Sequence, residues 1–253
     1  MNIEPGLDRC LSFIHCQLHP ASAVVLPSLA TGRWRAVTIS RQAGACGHAV
    51  AEELTKRLQQ AHNGDGSAPW TVFDRNLVEK VLEDHQLPAR LARFMPEDRV
   101  SEIDDVLEDL CGLHPPSVTL VDKVSETILR LAELGNVIMI GRGANVVTSR
   151  LEYVFHVRLV GSLEKRAECV QKRQRIGKEA ALEFVQLEDR GRRRYLKKYF
   201  NRDIDDPLLY HLVINTDLVD HSSAAGLIAE TMWSSRPGQR HVCVPSAVSV
   251  LAR

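Results

Sequence analysis

The stretch VTISRQAGACGHAVAEEL, residues 37–54, decides the fold reading. A β-branched apolar run enters a turn with two glycines, and an amphipathic run of helical spacing follows. A turn that leaves a strand and opens a helix directs unpaired N–H groups, and about half a positive charge, at whatever lies in front of it. Gly44 and Gly47 allow that backbone to come close. The two phosphate motifs of this shape are both incomplete. A GxGxxG fingerprint would need its first glycine at Gln42. On GxxxxGK[ST], Arg41 and Cys46 stand for the glycines, Gly47 for the lysine, and Ala49 is taken for the magnesium-binding hydroxyl residue. Alone, the turn fits either a phosphate cradle or a plain strand-to-helix connection.

Outward from the turn, strand and helix patterns alternate. WRAVTIS (34–40) reads as a buried strand and AVAEELTKRLQQA (49–61) as the helix after it, stopped by NGDG (63–66). WTVF (70–73) reads as a short strand, with Asp74 placed to cap DRNLVEKVLEDH. Residues 88–134 are expected to be helical with a break around 112–116. NVIMIG and YVFHVRLVG follow as strands, then a helix from Ser162, a long basic helix over about 178–200, the strand YHLVINT and the helix SSAAGLIAETMW. Strands that are continuously apolar and alternate with helices imply an α/β fold with a parallel sheet covered on both faces. Ligands in such folds sit at the carboxyl ends of strands, which singles out residues 40–48, Asp74 and 141–145. Residues 1–33, with helical spacing over 5–18, are read as an N-terminal extension, and 236–253 as a tail.

At 253 residues, 44% apolar and 25% charged, the chain can bury a substantial core. Its 32 basic and 32 acidic residues cancel, so nothing global argues for nucleic acid or an anionic membrane as partner. Six scattered cysteines without a CxxC pair argue against a zinc ribbon or a secreted disulfide scaffold, and a reducing cytoplasm is expected. Cys46, at a helix start, is a candidate for a lowered thiol pKa, although a small-residue role explains it as well. Charge is concentrated locally: residues 165–202 hold thirteen Lys and Arg against five Asp and Glu. Much of this, Lys197, Lys198 and Arg202 above all, fits a solvated helix face, whereas Arg190, Arg192 and Arg193 span one turn and fit a cluster that closes over phosphates.

SRQAGACGHAVAEEL resembles the SRExGSGGxxIAxxL start of the cytidylate kinase-like family, a branch of the P-loop nucleoside monophosphate kinases in which glycine commonly takes the lysine position. VFDRNLVEKV, VIMIGRGAN, EDRGRRRYLKKYF and DDPLLYHLVINTD resemble further family segments, in the family's order. The spacing Asp189, Arg192, Tyr195 resembles its DxxRxxY. The resemblance spans about residues 35–232. It implies a P-loop-type parallel sheet over 34–235, with a helical acceptor-site insert at about 74–134 and a basic helical lid at about 174–202.

The resemblance implies transfer of the ATP γ-phosphate to a nucleoside monophosphate. Ser40, Arg41, Gly44, Ala45, Cys46, Gly47 and His48 would form the cradle, and Asp74, Arg75 and Arg142 would face the acceptor. Arg41, Arg142, Arg190, Arg192 and Arg193 would supply transition-state charge, worth on the order of 10³ to 10⁵ in rate for a well-placed arginine. Mg²⁺ would accompany ATP without an identifiable protein ligand. Arg41 has a plainer alternative as a solvated loop arginine, and Asp74 as a helix cap. The chain departs from related kinases at Gly47, Ala49 and Ile140, the last where they carry an aspartate before the GR pair. These departures favour a second reading, a catalytically weak nucleotide- or phosphate-binding module of the same fold.

Overall fold

The computed structural model describes residues 32–61, 68–74 and 117–237. The expected helices at 5–18 and 75–116, the tail beyond 237 and Arg75 lie outside them. Five parallel strands, β1 (Ala36–Arg41), β2 (Thr71–Phe73), β3 (Val137–Ile140), β4 (Val154–Val160) and β5 (Leu212–Asn215), form one sheet in the order β2-β3-β1-β4-β5. The chain leaves β1 toward one edge, returns, and builds β4 and β5 on its other side. The carboxyl end of β1 is therefore where the strand order reverses, the place at which an open α/β sheet forms its crevice.

The helices are α1 (Gly47–Ala61), α2 (Ser117–Leu134), the single turn α3 (Ala144–Val147), α4 (Leu163–Gln174), α5 (Lys178–Phe200) and α6 (His221–Ser234). One sheet face packs Val37, Ile39, Ile138, Phe155, Val157 and Leu159 against Val50 and Leu54 of α1 and Ala225 and Ile228 of α6. The small side chains of α6 let it lie close to α1. Asp220 caps α6 through the amides of Ser222 and Ser223.

The opposite face changes character along the strands. At its amino end Ala36, Val137 and Val154 pack against Val124, Ile128 and Leu131 of α2. Further along, the cross-strand pairs between β1 and β4 become Thr38 with His156 and then Ser40 with Arg158. An apolar floor thus turns polar, then cationic, toward the carboxyl ends. Helices α4 and α5 pack on each other through Ala167, Val170, Ala181 and Val185, with Ala43 of the β1–α1 loop in the same cluster. Among the described residues no helix is long and apolar enough to cross a membrane.

Candidate functional site

The β1–α1 loop is fastened at its start. The Gln42 amide donates to the Leu159 carbonyl (3.0 Å), and the Gln42 side-chain oxygen accepts from the Gly161 amide (2.9 Å). Gly44 has φ +81°, and a methyl group there would sit 2.3 Å from the Arg166 carbonyl oxygen, so only glycine fits. Cys46, at the motif's second glycine position, has φ 54° and keeps the left-handed backbone without the glycine. Helix α1 opens at Gly47, two residues before the apolar pattern predicts, so the amides of Gly47, His48 and Ala49 belong to a first helical turn, whose N–H groups have no carbonyl one turn back.

Counted through GxxxxGK[ST] from Arg41, the hydroxyl position is His48, one residue before Ala49. The lysine position, Gly47, is crossed by the stem of Arg41: a Cβ on Gly47 would lie 3.2 Å from Arg41 Cγ. The guanidinium of Arg41 reaches to 3.8 Å from Asp74, and His48 Nδ1 stands 3.6 Å from the same carboxylate and its Nε2 3.4 Å from Glu52. These are ion-pair separations. Asp74 raises the His48 pKa above its ordinary value.

Beneath the loop, the buried Arg158 donates to Ser40 Oγ (2.8 Å) and to Asp205 Oδ1 (2.7 Å). Asp205 Oδ2 also accepts from Arg193 of α5 (2.9 Å). Burial opposes the Asp205 charge, but the bonds from Arg193 and Arg158 more than offset it and leave its pKa below the usual value. Tyr210 donates to the Ile204 carbonyl at 2.8 Å and lies 3.4 Å from Ser40 Oγ.

On the other side of the loop, Asp189 of α5 accepts from the Ala43 amide (2.7 Å) and from Arg166 (2.6 Å). The buried Arg166 also holds the carbonyls of Ala43 (3.0 Å) and Gly161 (2.9 Å). Arg192 bonds Glu188 and reaches Asp189 at 3.5 Å. Arg190 is exposed, and its Nε donates to the Gln186 carbonyl of its own helix. The three neighbouring arginines of α5 therefore point three ways: Arg192 inward, Arg193 to Asp205, and Arg190 along the surface.

Arg142 follows β3 in a run of three left-handed residues, Gly141 (φ 78°), Arg142 (φ 56°) and Gly143 (φ 66°). A Cβ on Gly143 would lie 2.7 Å from the Phe200 ring, which closes this turn from the end of α5. A left-handed arginine costs about 1–2 kcal/mol, so Arg142 is held in place by its surroundings.

Cys46 Sγ lies 3.3 Å from Cys169 Sγ of α4. Burial, and then the hydrogen bond with Cys169, push the Cys46 thiol up to about 11. The expected lowering by the helix terminus is thus overturned, because desolvation outweighs it.

Ser40, Arg41, Gly44, Ala45, Cys46, Gly47, His48 and Asp74 are gathered along the carboxyl end of β1. Among the described residues no group of three or more His, Cys, Asp or Glu side chains is arranged to hold a metal. With glycine and histidine at the lysine and hydroxyl positions, the loop offers Mg²⁺ no hydroxyl ligand. Arg158, Arg166, Asp189 and Asp205 tie the loop to the helices around it; Asp189 and Asp205 stood in segments that resemble the family, but the two arginines carry little sequence signal. Arg166 and Arg158 read as one more charge in a basic stretch and one misfit in an apolar strand.

Comparison with known proteins adds relatives. The sequence model of the cytidylate kinase-like family matches residues 36–218. A cytidylate kinase of Methanocaldococcus jannaschii is 24% identical over 159 residues, 62% of this chain and 89% of that protein. One of Methanopyrus kandleri is 30% identical over 157 residues, 58% of this chain and 78% of its own. A solved structure of a Eubacterium ventriosum protein described as uncharacterized has the same fold, with a TM-score of 0.59 at 18% identity, over 80% of this chain and 99% of that one.

Proposed function

Because the chain belongs to the cytidylate kinase-like family, we propose that it transfers the γ-phosphoryl group of ATP to a nucleoside monophosphate, with the β1–α1 loop as the phosphate cradle. The observation that carries this reading is the exchange at the lysine position: Gly47 leaves room, and the stem of Arg41 fills it. A cation at the mouth of the cradle is what phosphoryl transfer needs, since catalysis there is mainly alignment and charge. The first-turn amides of α1 hold the donor phosphates by direct hydrogen bonds. Arg142, fixed in its strained turn, takes the acceptor phosphate in a bidentate pair.

Helix α5 is the lid. Arg193 is parked on Asp205 and Arg192 on Glu188 and Asp189. Phosphates entering the crevice compete for Arg193 and add a stronger charge-assisted partner. Asp74, near Arg41 and His48, orients both toward the crevice. Mg²⁺ in this reading is carried by the nucleotide phosphates and water.

A second reading, binding with little turnover, is favoured by Asp189: its carboxylate occupies the Ala43 amide and places a negative charge against the cradle. Calorimetric titration with ATP and with each nucleoside monophosphate, followed by an assay of ADP formation with magnesium, separates the two. Binding without ADP sinks the kinase and leaves the binding module; no binding of any nucleotide removes both.

A further inference from the structure

Two cysteines meet at the cradle, one of them a cradle residue, through thiols that the transfer chemistry above does not use. Cys46 is the last residue before α1, and its thiol faces that of Cys169 in the middle of α4. Both are free thiols and half-buried, so small oxidants can reach them. They are 123 residues apart in sequence, so only the fold brings them together. We propose that Cys46 and Cys169 form a reversible disulfide that takes the phosphate cradle out of service when the protein meets a peroxide. The proposal rests on the reading of this loop as the nucleotide site.

The chemistry balances with hydrogen peroxide as oxidant. A thiolate attacks the O–O bond and becomes a sulfenic acid as hydroxide leaves. The second sulfur attacks the sulfenic sulfur, the S–S bond forms, and water leaves. Two thiols and one peroxide give one disulfide and two waters. Whichever sulfur meets the peroxide first, the other stands 3.3 Å away to resolve the sulfenic acid.

The geometric consequence falls on the loop. A disulfide needs its sulfurs about 2.05 Å apart, so the 3.3 Å separation must close by more than an ångström. Cys46 holds a left-handed backbone at the point where the α1 amides begin to face the crevice. Drawing it toward α4 re-aims those amides. The cross-link also fixes the loop to α4, which packs on α5, so the loop and the lid can no longer adjust to each other. Misplacement of reacting groups by about 1 Å costs up to about a hundredfold in rate.

The experiment treats the full-length protein with hydrogen peroxide, maps disulfide-linked peptides by mass spectrometry, and measures ATP affinity by calorimetry before oxidation, after it, and after dithiothreitol. The expected result is a Cys46–Cys169 linked peptide, ATP affinity lowered about tenfold or more, and full recovery on reduction. Cys169→Ser should lose the linked peptide and keep its ATP affinity in peroxide. Absence of that peptide, or its formation with unchanged affinity, overturns the switch alone. A reduced protein that does not bind ATP overturns the functional reading, and the switch with it.

Discussion

Cys46 and Gly44 show how a motif survives the loss of its letters. Both residues are left-handed, but Gly44 has the Arg166 carbonyl against the face where a side chain would stand, while Cys46 tolerates one. Gly44→Ala is expected to lower stability by 2 kcal/mol or more, about 1–2 from the backbone and the rest from the clash, read from the urea midpoint. Cys46→Gly, which relieves a left-handed side chain and loses a small packed thiol, should stay within about 1 kcal/mol. Arg142 is left-handed as well, between two left-handed glycines. Its strained backbone suits a residue kept for its guanidinium, and Arg142→Ala should weaken monophosphate binding by on the order of tenfold or more while leaving the unfolding midpoint nearly unchanged. Equal affinity by calorimetry would show that the acceptor phosphate lies elsewhere.

Among the elements, β4 is the one whose sequence misleads. His156 and Arg158 interrupt an apolar run because they share the polar face of the sheet with Thr38 and Ser40. His156 is buried, bonded to Thr38 at 2.8 Å, and its pKa is pushed down to about 3 by burial and by His211. Between about pH 6.5 and 3 the unfolded chain binds a proton here that the folded chain refuses, so stability falls as pH falls, by up to about 1.4 kcal/mol per pH unit. His48 has the opposite sign: its raised pKa gives stability below about pH 6.5 that is lost as pH rises through the folded value, but the side chain is 55% exposed and the effect is small. Urea midpoints measured from pH 7 to 4 should fall, and His156→Gln should flatten the fall.

Helices α4 and α5 depend on one buried cation. Arg166 joins the Asp189 carboxylate to two carbonyls of the loop region, so Arg166→Ala strands three acceptors. The expected loss is about 3 kcal/mol or more in urea unfolding, and Arg166→Lys, lacking the planar fork, should recover only part of it.

In the whole molecule the charges cancel, yet residues 165–202 carry a large positive excess beside the crevice. Nucleotide affinity should therefore drop on the order of tenfold between low and high salt as exposed charges are screened, while Arg158, buried and paired, keeps the sheet end intact. An affinity independent of salt would place the binding determinants away from α4 and α5.

Among the described residues the order of strands and helices, the turn after β1 and the basic stretch were legible in the chain, because apolar period, glycine and charge are local properties. Neighbouring pattern also fixed that the sheet would be parallel and covered on both faces. What the sequence left open was which arginine does what. Arg166 and Arg158 are buried ties, Arg193 rests on Asp205, Arg190 lies on the surface, and Arg41 runs through the space a lysine would fill. The approach of Cys46 to Cys169 is of the same kind. A charge or a thiol takes its role from what surrounds it, and residues more than a hundred positions apart become neighbours only when β1 is set between β3 and β4.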